Sequence, residues 1–69
     1  MKVGEAARLT GLTVKTLHHY EERGLAGPAE RTEAGHRLYG EEELARLIFI
    51  ARAKRLGLSL EEISELLEY

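Results

Sequence analysis

The first regular alternation of apolar and polar positions spans Glu5 to Leu25, EAARLTGLTVKTLHHYEERGL. Ala6, Ala7 and Leu9 recur on one face before Thr10-Gly11-Leu12-Thr13, and Val14, Leu17 and Tyr20 do so after it, which predicts two short helices joined by a tight turn over about 4–23. Gly11 suits a connection that needs positive φ, and the Thr13 hydroxyl is placed to cap the second helix. With Val14, Leu17 and Tyr20 turned inward, the outward face carries Lys15, Thr16, His18, His19 and Glu22. A helix face so rich in hydrogen-bonding groups can enter a major groove, although paired amphipathic helices also occur in small domains that bind no nucleic acid.

Beyond Gly24 the helical pattern stops, and Gly27-Pro28 forces an extended or turning path. Glu30-Arg31-Thr32 and His36-Arg37-Leu38-Tyr39 flank Glu33-Ala34-Gly35, predicting a hairpin over about 30–39. An isolated hairpin is barely stable in water, so Leu38 or Tyr39 should pack on the helices while Arg31, Thr32, His36 and Arg37 stay outside. A longer helix is expected over about 41–57, opened by Glu41, Glu42 and Glu43 at its dipole-favoured end and stopped by Gly57. Leu44, Leu47, Ile48 and Ala51 form its apolar stripe. Phe49, Ala53 and Leu56 carry that stripe further round than one small core can cover, which implies a second partner surface. Ser59 and Glu62 read as a capping box for a last helix over 60–69, with Ile63, Leu66 and Leu67 inward. That stripe is still running at Tyr69, as expected of a longer natural protein cut at this point.

Sixty-nine residues amount to one domain, 1–69, with a small core and no room for a deep catalytic pocket. There is no Cys, so neither a disulfide nor a thiolate metal site can staple it. No run approaches a membrane-spanning length and no secretion signal is visible, so the expected location is cytoplasmic, with no membrane partner. The formal charge of −2 is not that of a typical nucleic-acid binder, but its distribution is uneven. Residues 1–40 hold six Lys and Arg against five Glu, +1, whereas residues 41–69 hold four against seven, −3. His18, His19 and His36 all belong to the first part and can gain charge beside phosphates.

The order of parts is specific: LTGLTVKTLHHYEERGL, then Pro28, then AERTEAGHRLY, then EEELARLIFIARAKRLGLSLEEISELL. It closely resembles the DNA-binding domain of the MerR family of bacterial transcription regulators over essentially the whole chain. His18, His19 and His36 stand where that family more often has Arg, Tyr and Tyr, a combination similar to the branch of thiostrepton-responsive and multidrug-responsive activators. The resemblance implies a mainly α fold, a winged helix-turn-helix with a small two-stranded wing and two further helices. It implies double-stranded promoter DNA as partner, with the second helix in the major groove and the wing on the backbone or minor groove. Contacts would fall on Thr13, Lys15, Thr16, His18, His19 and Tyr20 from the helix, and on Arg37 with His36 from the wing. Lys54 would be a further phosphate contact. An imidazole cannot make the bidentate contact to guanine that Arg makes, so base readout at positions 18 and 19 would differ from the family pattern. The resemblance further implies a homodimer, formed through a C-terminal coiled coil absent from this chain, that serves RNA polymerase indirectly by bending promoter DNA.

Other readings fit the sequence less well. A metal site from His18, His19 and His36 is disfavoured because adjacent helical positions point about 100° apart; no metal and no cofactor are expected. A small architectural or excisionase-like winged module, or a protein-interaction module, would use the same scaffold. An enzyme has no support, since no nucleophile lies at a credible spacing from a base.

Overall fold

A computed structural model describes residues 1–28 and 30–68. Four helices and one hairpin follow in the order α1 (Val3–Thr10), α2 (Val14–Glu22), β1 (Glu30–Arg31), β2 (Arg37–Leu38), α3 (Glu41–Arg55) and α4 (Leu60–Leu67). The expected last position of α4, Tyr69, lies outside the described residues. The architecture is the mainly α winged helix-turn-helix that the resemblance implied.

The helix ends are set by local chemistry. Gly11 closes α1 at φ 75°, a left-handed conformation that glycine adopts without a Cβ penalty. Thr13 Oγ1 accepts the Thr16 N–H at 3.0 Å and so caps α2. At α3 the Glu43 carboxylate accepts the Gly40 N–H at 2.8 Å; Gly40 has no side chain with which to return the bond. Ser59 and Glu62 do form a reciprocal box, with Ser59 Oγ taking the Glu62 N–H at 3.1 Å and Glu62 Oε1 the Ser59 N–H at 2.9 Å.

The core is assembled from Ala6, Leu17, Tyr20, Leu25, Tyr39, Leu47, Ile50 and Ile63, so every helix and the wing contribute to it. Helix α1 packs on α2 and α3, and α3 on α4. Arg46 Nε donates to the Leu25 carbonyl at 2.5 Å, tying α3 to the turn that follows α2. The inward sets differ from the expected ones in four places. Leu9, Val14 and Leu66 are exposed, Val14 opening α2 and Leu9 and Leu66 lying in the last turns of α1 and α4. In α3 the fully buried positions are Leu47 and Ile50, with Ala51 and Ala53 beside them, whereas Leu44 and Ile48 are only partly buried. The stripe is therefore rotated towards Ile50.

Candidate nucleic-acid interface

The hairpin is antiparallel, with Glu30 opposite Leu38 and Arg31 opposite Arg37. Gly35 turns it at φ 84°, where its N–H donates to the Thr32 carbonyl at 2.9 Å. The Thr32 N–H then donates to the His36 carbonyl at 2.8 Å, and Thr32 Oγ1 accepts the His36 N–H at 3.1 Å. The chain start completes the ladder. The Met1 ammonium donates to the Tyr39 carbonyl and the Tyr39 N–H to the Met1 carbonyl, both at 2.7 Å, and Lys2 bridges antiparallel to Leu38. Residues 1–2 thus act as a third edge that seats the wing beside the start of α1, a role that three residues of sequence do not reveal.

This arrangement brings the wing to one side of α2. His18, His36 and Arg37, with Gly35, line a cleft of about 470 Å³ together with Lys2 to Glu5 at the start of α1. His18 Nε2 is buried and has no hydrogen-bond partner among the described residues. Thr13, Lys15 and His19 are exposed on α2, and Thr16 is half-buried with its hydroxyl taking a hydrogen bond from Thr13 at 2.9 Å. The structure therefore collects Thr13, Lys15, Thr16, His18 and His19 on the helix and His36 and Arg37 on the wing. Tyr20 is different: it is buried in the core, as the periodicity required, and burial raises its phenol pKa above the ordinary 10.0. Lys54 is exposed near the end of α3, among the residues of another element.

Arg37 is not a loose surface cation. Its Nε donates to Glu21 Oε1 at 2.5 Å, while Arg31 Nη2 donates to Glu21 Oε2 at 2.8 Å. Glu21 does not stand out in the sequence as a site residue. The available signal was its place four residues after the inward Leu17, on the border of the buried face of α2, in a chain with two arginines across a short hairpin. Among the described residues no three His, Asp or Glu side chains are grouped to hold a metal ion, and no helix is long and apolar enough to cross a membrane.

A family model described as MerR HTH family regulatory protein matches residues 1–69. The nodulation protein NolA of Bradyrhizobium elkanii is 48% identical over 67 residues, covering 97% of this chain and 31% of the relative. The HTH-type transcriptional activator TipA of Streptomyces coelicolor is 47% identical over 66 residues, covering 96% and 26%. A MerR-family transcriptional regulator from Bacillus cereus superposes with TM-score 0.96 at 36% identity, covering 100% of this chain and 52% of that one. HiNmlR, a MerR family regulator lacking the sensor domain and solved bound to promoter DNA, gives TM-score 0.89 at 29% identity, covering 99% and 52%. The chain thus spans between about a quarter and a half of the length of these relatives. TipA and the two solved neighbours are described as transcription activators or regulators.

Proposed function

The chain belongs to the MerR family of transcriptional regulators, whose DNA-binding domain it forms, and from that premise we propose that it grips a promoter half-site through the α2 and wing face. Thr13, Lys15, Thr16, His18 and His19 face the major groove, His36 and Arg37 reach the adjacent backbone, and Lys54 takes a more distant phosphate. Tyr20 supports this face from beneath. The observation that carries the reading is the convergence of His18 from α2 with His36 and Arg37 from the wing on one cleft. Among the described residues only Nε of Arg37 is engaged, so both of its Nη groups remain to meet a phosphate.

In the complete protein the half-sites are bound in pairs by a homodimer joined through a C-terminal coiled coil, acting in the cytoplasm and on RNA polymerase only through the promoter. Phe49 on α3, Leu56 just after it and Leu66 on α4 are exposed apolar side chains available to a helix of that coiled coil. A lone half-site domain of net charge −2 should bind weakly, so the test is run at low salt. Fluorescence anisotropy with several unrelated duplexes should show Arg37→Ala weakening all of them alike and lowering the salt slope by about 1. A loss confined to one base position would contradict a backbone role for the wing, and unchanged affinity would remove Arg37 from the interface.

A further inference from the structure

We infer that Glu21 is a positioning residue, a latch that fixes the angle between the wing and the recognition helix. The inference rests on the DNA-binding reading only for its consequence at the interface; the latch itself is a property of the unbound protein. Three observations carry it. First, Arg31 and Arg37 are direct partners across a ladder only two residues long on each side, so two like charges oppose one another in an element with little stability of its own. Second, the Glu21 carboxylate gives one oxygen to each arginine, 2.8 Å to Arg31 Nη2 and 2.5 Å to Arg37 Nε, and is only 22% exposed. It turns a repulsive pair into a three-charge bridge whose third member belongs to α2.

Third, other features of its position disfavour a carboxylate there. It is the penultimate residue of α2, where a carboxylate meets the negative end of the helix dipole, and it places an anion beside the face proposed to meet phosphates. Its negative charge also helps to raise the phenol pKa of buried Tyr39, after the larger effect of burial. The two arginines are the compensating interaction. Because Arg37 is held, among the described residues, through Nε alone, the latch aims its Nη groups without consuming them.

The test is Glu21→Gln in the 69-residue chain, with a thermal melt and the α3 amides as controls for folding. Hydrogen exchange at the Thr32 and Gly35 amides, which close the wing turn, should speed up at least tenfold while α3 amides stay protected. In the Arg31→Gln, Arg37→Gln background, where neither partner of the carboxylate remains, the same substitution should have a much smaller effect. If Glu21→Gln destabilises the whole domain, the milder Glu21→Asp, too short to reach both arginines, supplies the same comparison. Low-salt binding to a mixed-sequence duplex then separates positioning from charge. Removing an anion should tighten binding on electrostatics alone, whereas loss of the latch should weaken it several-fold. Unchanged wing exchange overturns the latch, and tighter DNA binding by the variant overturns its role at the interface. If the wing loosens while even the wild-type chain ignores DNA at low salt, the latch stands and the DNA-binding reading fails.

Discussion

Tyr39 is 1% exposed, yet its hydroxyl has no hydrogen-bond partner among the described residues. A buried polar group left unsatisfied costs about 1–3 kcal/mol, so Tyr39→Phe should raise stability by about 1 kcal/mol in urea unfolding. A loss would reveal a partner for the hydroxyl. Burial first, and the charge of Glu21 second, push the phenol above its ordinary 10.0. A group with a raised folded pKa contributes stability that is present below the unfolded value and lost as pH rises through the folded one. The alkaline loss of stability should therefore be smaller in Tyr39→Phe. Leu17 is fully buried at the centre of α2, and Leu17→Ala should cost ~2–5 kcal/mol. A domain of 69 residues at about 0.05–0.15 kcal/mol per residue has only roughly 3–10 kcal/mol in total, so a melting curve should show a large fall or outright unfolding. Leu17 was legible from its spacing to Val14 and Tyr20, whereas Glu21 was not, because its partners stand 10 and 16 residues away in another element.

At the scale of elements, punctuation carried most of the information. Gly11, Thr13 and the Ser59–Glu62 box act where their residue types predict, because a cap involves groups only three or four residues apart. The Glu62 carboxyl is held below its ordinary 4.5 by hydrogen bonds from Ser59, backbone first and side chain second. Since the shift is downward, its contribution is present above that ordinary value and is lost as pH falls through the lowered one. Glu62→Gln should accordingly flatten part of the acid limb of a stability–pH profile followed by circular dichroism; an unaltered limb would deny the box any role in it. The phase of α3 was less legible. Its run Leu47-Ile48-Phe49-Ile50-Ala51 is apolar on all sides, so periodicity alone does not select Ile50 over Ile48. The wing was visible as a hairpin, but not its third edge from Met1 and Lys2, since pairing across 38 residues leaves no local trace.

For the whole molecule, the surplus of apolar surface on α3 and α4 is the feature that one domain does not explain. Leu56 is 81% exposed, so Leu56→Lys should leave the unfolding free energy of this chain within about 0.5 kcal/mol of wild type. A fall beyond that range would mean that Leu56 packs within the domain. If the proposed coiled-coil dimer forms, the same change in a chain that carries the coiled coil should weaken dimerisation in sedimentation experiments.

The sequence by itself determined the four helices, the hairpin, most of the caps and the family, because these follow from spacing and from residue types within a few positions of one another. The tertiary structure decided that Ile50 centres the stripe of α3 and that the chain start braces the wing. It also decided that Arg31 and Arg37 share Glu21. Each depends on which distant surface packs opposite, and such a contact forms only when elements meet in three dimensions.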